Sequence, residues 1–191
     1  MEPVFVAGET YSNTNFQDSP LQKGEYENCS FKDCNFSETD LSEIKFIDCD
    51  FSSCNLSLAK LQQTAFREVR FVDCKLLGLQ FDSCNKFGLS LSFERCQLDH
   101  CSFYQTKIKK TTFKDTQLHE TDFTECDLTG STFDNCDLTR ATFVNTILKK
   151  ADFSTSYNYS IDPEINKIKK AKFSIPEVIG LLDKYEIEII K

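Results

Sequence analysis

The sequence predicts an all-β solenoid, in which the chain coils around a packed core and every turn of the coil has four walls. Three observations lead to this prediction. Large apolar residues recur every five positions, small residues stand two positions before them, and Phe alternates with Leu or Ile in the second half. The 191 residues include 18 Phe and 10 Cys but only 6 Gly and 4 Pro, a low Gly and Pro content for an ordinary sheet protein.

The five-residue repeat covers most of the chain. It has fifteen central positions from Tyr11 to Phe81 and thirteen more from Phe93 to Phe153. Between these halves the register shifts by two residues, which predicts a bulge or short loop near residues 86–91. A helix turns by about 100° per residue and a strand alternates every two residues, so neither keeps residues five apart on one face. Short extended segments separated by turns keep residues five apart on the inner face of the coil.

The order of the central residues predicts the number of walls. From Phe93 onward the strict alternation places like residues above one another only if the number of walls is even. Four walls need 20 residues per turn, so 28 repeats make seven turns, roughly 34 Å tall at about 4.8 Å per strand. Six walls also satisfy the alternation, but their lumen would be wider than these side chains fill.

All ten cysteines occupy the small position two residues before a central residue. Side chains two apart in an extended segment share a face, so the cysteines are predicted to be buried, free thiols. Cysteines one turn apart are near enough for a disulfide, but their parallel side chains and the expected cytoplasmic location argue against one. The absence of Cys-x-x-Cys spacing in the sequence argues against a zinc site.

The two ends of the chain depart from the repeat. Residues 1–10 are predicted to be an N-terminal cap, in which Val4, Phe5 and Val6 cover the first turn of the repeat coil. That coil is predicted over residues 11–156.

Residues 157–191 are predicted to be a C-terminal cap and dimerisation segment. Pro176 opens a predicted helix that ends near Tyr185, and residues 186–189 alternate as a short strand. The apolar residues exceed what one end cap needs, which favours a twofold dimer, with a monomeric cap as the alternative. The candidate dimer interface consists of Val178, Ile179, Leu181, Leu182, Ile187, Ile189 and Ile190.

The repeat motif resembles that of the pentapeptide-repeat proteins. It is a small residue, then Asp or Asn, then Leu or Phe, then two further residues, as in Cys126-Asp127-Leu128-Thr129-Gly130. The resemblance covers residues 11–153, with a degenerate copy at Ala171-Lys172-Phe173, and it implies a right-handed quadrilateral β-helix.

A narrower resemblance, to the quinolone-resistance Qnr and MfpA group, rests on Asn85-Lys86-Phe87-Gly88, on Phe93–Leu98 and on the tail from Ile161. It implies a rod-shaped dimer, joined through the C-terminal cap, that binds DNA gyrase by mimicking B-form DNA. The chain lacks the long surface loops that many Qnr proteins carry.

Several function classes are disfavoured by the sequence. A net charge of −8 argues against nucleic acid or an anionic membrane as the direct ligand. No apolar run is long enough to span a membrane and no signal peptide is present, so a cytoplasmic protein is expected. No phosphate loop or nucleophile–base pair is recognisable, so neither catalysis nor a cofactor is expected. His100 and His119 share a predicted wall, where solvated surface histidines are favoured over a metal pair.

Charge is the feature that the core does not explain. Residues 115–137 contain seven acids and no Lys or Arg, and these acids are the candidate partner-binding surface: Asp115, Glu120, Asp122, Glu125, Asp127, Asp134 and Asp137. Residues 25–50 carry eight acids and two lysines. Carboxylates at regular intervals along a rod would resemble the field of DNA.

The predicted function is therefore a non-catalytic DNA mimic that binds DNA gyrase or topoisomerase IV. The alternative is a general cytosolic protein–protein interaction scaffold with an unrelated partner. One predicted wall is basic, so mimicry is expected on the others. Its lysines are Lys107, Lys109, Lys110, Lys149 and Lys150.

Overall fold

Apolar residues at every fifth position wind the chain into a parallel β-solenoid, which a computed structural model describes for residues 3–190. Strands one turn apart pair in parallel at a register of 20 residues, so that Phe31 lies beside Phe51 and Phe113 beside Phe133. The coil makes about eight turns, since its longest sheet has nine strands. The predicted turn of 20 residues is confirmed.

Two of the four walls contain regular strands. The first wall begins as a four-stranded sheet of β1 (Val4–Ala7), β3 (Gly24–Glu27), β5 (Lys45–Ile47) and β7 (Ala65–Arg67). The second wall is a nine-stranded sheet of β2 (Thr10–Ser12), β4 (Ser30–Lys32), β6 (Asp50–Ser52), β8 (Val69–Val72), β9 (Leu91–Glu94), β10 (Thr112–Lys114), β11 (Thr132–Asp134), β12 (Asp152–Phe153) and β13 (Lys172–Phe173). The other walls pair through single bridges, such as Asp122 with Thr142.

We number the walls in chain order. Their central residues include Tyr26 and Leu128 on wall 1, Phe31 and Phe133 on wall 2, Phe36 and Leu138 on wall 3, and Leu41 and Phe143 on wall 4. Beyond β7, wall 1 continues through the bridges that join Lys107 to Asp127, Asp127 to Ile147 and Ile147 to Lys167. Every turn of the chain therefore visits all four walls.

Left-handed residues form the corners between walls. The second residue after a central position has a positive φ, as at Asp33 (53°) and Lys150 (59°). A non-glycine residue in this conformation costs roughly 1–2 kcal/mol. Most corner N–H groups offset part of that cost by bonding to the next turn: Asp33 N donates to Ser52 O at 2.9 Å and Lys150 N to Lys169 O at 3.1 Å. This geometry explains how a chain with few glycines turns so often.

Columns of aromatic rings fill half of the interior. On wall 2, the Phe113 ring stacks on Phe93 and Phe133 with centroids 5.1 and 4.8 Å away. Across the interior, the Phe123 ring of the opposite wall 4 meets Phe113 edge-on at 6.0 Å. In the second half of the chain, walls 1 and 3 contribute Leu and Ile columns that include Leu128, which is 0% exposed. The predicted stacks of like residues are confirmed.

The N-terminal end differs from the expected cap. Strand β1 pairs in parallel with β3, with Val6 beside Tyr26, so Val6 occupies a central position five residues before Tyr11. Val4 and Val6 pack against the core, whereas Phe5 points outward and is 64% exposed. The expectation that these residues cover the first turn is wrong for Phe5, because strand pairing forces alternate side chains to opposite faces.

The predicted register break is present. Val69 pairs with Leu91, a separation of 22 residues that adds two residues to one turn. A 3-10 helix (Phe81–Ser83) precedes the break. Phe87 in the resulting loop is 76% exposed, and the Arg67 guanidinium lies 5.4 Å from its ring centroid.

The solenoid also runs past residue 156 before it ends. Strand β13 pairs with β12, and the Phe173 ring stacks on Phe153 at 5.5 Å. Parallel pairing thus extends beyond the predicted repeat coil at both of its ends.

The C-terminal helix and strand take another form. Two 3-10 helices, Val178–Leu181 and Asp183–Tyr185, replace the single predicted helix. The Gly180 carbonyl accepts from Ile161 N at 2.9 Å, so a longer α-helix cannot use it.

The predicted strand over residues 186–189 is not formed. The backbone of Glu186 is left-handed, with a φ of 48°, and this conformation breaks the alternation on which that prediction rests. No neighbouring strand within residues 3–190 pairs with the segment.

Candidate partner-binding surfaces

The seven candidate acids lie on all four walls instead of forming one patch. Asp115 and Asp134 belong to wall 2, Glu120 and Asp137 to wall 3, Asp122 and Glu125 to wall 4, and Asp127 to wall 1. Residues close in sequence are dispersed because each turn of the coil passes every wall. Each wall therefore presents its own set of acids.

Three of these acids interact with basic side chains of the protein. Asp127 lies 3.2 Å from Lys109 Nζ, and Glu120 lies 3.1 Å from Arg140 Nη1. Asp137 lies 3.1 Å from His119 Nε2. These contacts reduce what the three carboxylates can offer to a partner.

Asp137 also illustrates a structural role for acids one position before a central residue. Its Oδ1 accepts from Thr139 N at 3.1 Å and from Asn158 Nδ2 at 3.0 Å. Partial burial opposes ionisation, but hydrogen bonds from Thr139, Asn158 and His119 outweigh it and lower the pKa of Asp137 to about 2. Asp127 accepts from Thr129 in the same way. The fold itself therefore accounts for these two acids.

Wall 4 presents acids without basic neighbours in the same wall. We call the stretch of residues that one turn contributes to a wall a rung. Over its rungs at 79–83, 101–105, 121–125 and 141–145, wall 4 carries Asp82, Asp122 and Glu125 but no Lys or Arg. Asp122 accepts from the Thr124 N–H at 2.8 Å, and Glu125 accepts from the Gln105 side chain at 2.8 Å. Among the candidate acids, the wall 4 pair best fits a surface that attracts a basic partner.

The second half of wall 1 has the opposite charge. Its outward positions over residues 107–170 hold eight lysines and one acid, Asp127. We call these eight lysines the lysine face: Lys107, Lys109, Lys110, Lys149, Lys150, Lys167, Lys169 and Lys170. The first five follow from the repeat in the sequence, and the bridge from Ile147 to Lys167 adds the last three to the same wall.

The C-terminal end exposes most of the candidate dimer interface. Val178, Ile179, Leu182, Ile187, Ile189 and Ile190 are exposed, from 37% at Leu182 to 89% at Ile190. Leu181 instead packs against the core. Ile179, Leu182, Ile187 and Ile189 help to line a groove of about 240 Å³.

Gly180 holds this end against the coil. A Cβ on Gly180 would lie 2.0 Å from the Tyr159 carbonyl oxygen, so only glycine allows this approach. Lys184 Nζ pairs with Asp162 Oδ1 at 2.9 Å. The exposed apolar surface is therefore fixed to the rod.

The cysteines are buried as predicted. All ten are free thiols in the interior, and Cys136 Sγ donates to the Phe113 carbonyl at 3.4 Å. Burial raises the pKa of Cys126 and of Cys136 to about 12. The thiolate that reactions of cysteine require is therefore disfavoured at these two positions.

The two histidines contact carboxylates rather than each other. His119 Nδ1 lies 3.3 Å from Asp99, and His100 Nδ1 lies 3.5 Å from Glu120. Within the described chain, no group of three or more His, Cys, Asp or Glu side chains could hold a metal ion. None of the helices over residues 3–190 has the length and apolar character of a membrane span.

Taken together, a four-walled coil with a filled interior and chemically distinct outer faces defines a β-solenoid protein. The family model described as pentapeptide repeat region matches residues 19–91 and 89–157. The chain therefore belongs to the pentapeptide-repeat family, as its motif predicts.

One solved structure supports the fold, and two others are similar over most of the chain. A trypsin-treated variant of QnrB1, a plasmid-mediated fluoroquinolone resistance protein, is similar over 100% of both chains, with 16% identity and a TM-score of 0.58. Full-length QnrB1 covers 96% of this chain and 100% of its own, at 16% identity and a TM-score of 0.49. HetL from the cyanobacterium Nostoc sp. strain PCC 7120 covers 89% of this chain and 87% of its own, at 14% identity and a TM-score of 0.37. No curated protein sequence matches the chain.

Proposed function

We propose that this protein is a non-catalytic DNA mimic that works in the cytoplasm, binds DNA gyrase or topoisomerase IV, and lowers the sensitivity of that enzyme to quinolones. The observation that carries the proposal is that wall 4 presents Asp82, Asp122 and Glu125 but no Lys or Arg over its rungs from residue 79 to residue 145. The fold shared with QnrB1, a fluoroquinolone resistance protein, supports the link to the drug.

The charge density of the rod supports mimicry. Outside the lysine face and its Asp127, the chain holds 14 Lys and Arg against 29 Asp and Glu, a net charge of −15. Nine rungs span roughly 38 Å at about 4.8 Å per rung, which gives about one negative charge per 2.5 Å. Duplex DNA carries one per about 1.7 Å of its axis. A groove that attracts DNA would attract this rod by the same long-range field.

The proposal includes a homodimer joined at the C-terminal end. Six exposed apolar residues at that end would be removed from water by a second copy, and a twofold axis would bring the same surface of each protomer together. Such a dimer would roughly double the length of the rod. A longer rod could occupy more of a DNA-binding groove.

A second candidate function is an interaction scaffold for a protein unrelated to topoisomerases. The structural role of Asp127 and Asp137 favours it, because acids that satisfy the backbone need no further function. Solenoids of one fold also serve many partners, since binding depends on outer residues that the core does not constrain.

The test compares two charge-reversal pairs that change the net charge equally. Asp122→Lys with Glu125→Lys alters wall 4, and Asp115→Lys with Asp134→Lys alters wall 2. The assay is supercoiling of relaxed plasmid by gyrase of the organism that encodes the protein, with and without a quinolone. We expect the wild type to act at micromolar concentration and the wall 4 pair to need at least about tenfold more protein, equivalent to about 1.4 kcal/mol.

The wall 2 pair is expected to stay within about threefold of the wild type. Circular dichroism checks folding, and light scattering checks the dimer. A folded, dimeric wild type that leaves both gyrase and topoisomerase IV unaffected would reject the proposed target. Recovery of one unrelated protein in a pull-down that lacks topoisomerases would then support the scaffold.

A further inference from the structure

We infer that the lysine face binds the phosphate backbone of double-stranded nucleic acid. This inference concerns wall 1 and does not depend on the proposed function, which concerns the acidic walls. It starts from a contrast between the lysine face and the charge pattern on the rest of the solenoid.

Elsewhere, most of the lysines and arginines that have a charged residue one turn away form pairs of opposite sign. Lys45 Nζ lies 3.2 Å from Glu25, and Lys172 Nζ lies 2.7 Å from Asp152. These pairs have the 20-residue separation of the coil, so one strand neutralises the next. A fold selected for stability alone would place charges in this way.

The lysine face does the opposite. The bridge between Ile147 and Lys167 places Lys149 beside Lys169 on the next turn, and Lys150 beside Lys170. Strand neighbours lie about 4.8 Å apart, and like charges at that spacing oppose folding. An anionic ligand bound across the face would remove the repulsion between the lysines. The fold itself gains no stability from clustering them.

The lysines are available to such a ligand. All eight are exposed, and among the ion pairs within residues 3–190 only Lys109 of this face takes part, through its contact with Asp127. Lys110, Gly130 and Lys150 occupy the same corner in three successive turns. Because glycine has no side chain, the corner between the two lysines is open. The convex phosphate backbone of a duplex can therefore approach the lysines on both sides of Gly130.

The composition of the face favours phosphate over other anionic surfaces. Protein interfaces are depleted in Lys and enriched in aromatic residues and Arg, whereas this face has neither aromatic residues nor Arg. Stacking on single-stranded bases uses aromatic rings, and insertion into a membrane interface uses a large apolar or aromatic surface, which this face lacks. The exposed ring of Phe87 lies on the preceding loop and contacts Arg67.

The dimensions fit a short stretch of duplex. Four rungs, from residues 107–110 to residues 167–170, span about 14 Å, and the three outward positions of each rung span about 10 Å. Along one strand of B-DNA, phosphates are about 3.4 Å apart in axial rise, so the face can reach about four of them. The net charge of −8 weakens binding at long range, but salt at about 0.1 M screens charges beyond about 10 Å.

The experiment measures fluorescence anisotropy of two labelled duplexes of unrelated sequence, without any topoisomerase. We expect equal binding to both, with a Kd on the order of 10–100 μM at low salt, and a slope of log K against log salt of about −3.6 for four phosphate contacts. The variant Lys149→Glu with Lys169→Glu should bind at least about tenfold more weakly. A matched control, Lys32→Glu with Lys60→Glu, makes the same change of net charge on walls 2 and 4 and should lose less than about threefold.

Three results would overturn the inference. The first is that the folded wild type does not bind the duplex at low salt. The second is an equal loss of duplex affinity in both charge-reversal variants. The third is that the protein binds poly-aspartate or phosphatidylserine vesicles but not the duplex. None of them bears on gyrase. Conversely, a protein that binds duplex through this face and leaves gyrase unaffected would reject only the proposed function.

Discussion

Replacing Phe123 by Ala tests whether the interior is close-packed. The Phe123 ring is 0% exposed and stacks on Phe103 and Phe143 of the same wall, at 5.3 and 5.2 Å. It also meets Phe113 and Phe133 of wall 2 edge-on, both at 6.0 Å. Removal of this one ring therefore disturbs contacts along the rod and across it.

The expected loss of unfolding free energy is about 4–5 kcal/mol. A buried Phe→Ala change costs roughly 3–5 kcal/mol, because a cavity remains in addition to the lost transfer energy. Aromatic pairs add about 0.5–1.5 kcal/mol each beyond their buried area. The upper part of the range applies because backbone hydrogen bonds to the turns above and below hold wall 4 in place: Phe123 N donates to Thr142 O at 2.9 Å.

Urea unfolding followed by far-ultraviolet circular dichroism measures the loss. Phe123→Leu should cost only about 1–1.5 kcal/mol, because wall 4 already accommodates Leu at Leu41 and Leu61. Phe87→Ala, which removes an exposed ring, should cost less than about 1 kcal/mol. If Phe123→Ala cost under about 2 kcal/mol, or no more than Phe87→Ala, the interior of the solenoid would not be close-packed around this ring.

Two further predictions concern a glycine and the thiols. Gly24→Ala should detach β1, because its Cβ would lie 2.1 Å from Val4 O, and limited proteolysis should then remove the N-terminal strand. The Cβ of Gly8→Ala has nothing within 4 Å, and its positive φ of 72° costs only the roughly 1–2 kcal/mol of the other corners, so the strand should stay protected; equal cleavage of both variants would contradict the reasoning. Burial raises the pKa of Cys126 from 9.0 to about 12, so at about pH 10 only the unfolded thiol ionises, and stability falls as pH rises from about 9 towards 12. Urea titrations at about pH 8 and pH 10 measure the loss of unfolding free energy between these two pH values. This loss should be about 1 kcal/mol smaller in Cys126→Thr than in the wild type, and an equal loss in both proteins would contradict the reasoning.

The interior of the solenoid could be predicted from the sequence because it obeys one period. Burial, the four walls and the position of the register break all follow from the spacing of residues such as Phe93 and Phe113. The corner residues were not recognised as left-handed, since Asp33 and Lys150 carry no glycine signal. The sequence feature that marks these corners is their fixed place two residues after each central position of the repeat.

The ends and the outer surface were harder to predict, because both depend on contacts between distant residues. The form of the C-terminal segment depends on a hydrogen bond between Gly180 and Ile161, which no local pattern encodes. The acids at 115–137 are neighbours in sequence, yet the coil distributes them over four walls. Three members of the lysine face, in contrast, lie outside the regular repeat and join the face only through the bridge to Ile147.

The separation between inside and outside residues makes the surface proposals testable one wall at a time. A central residue such as Leu128 is fixed by packing, whereas its neighbours Asp127 and Thr129 face outward and tolerate other residues at similar positions along wall 1. Charge reversal on one wall therefore leaves the core and the other three walls unchanged, since each strand contacts only the turns above and below it. An effect confined to wall 4 or to the lysine face then reports on recognition by that wall and not on the fold.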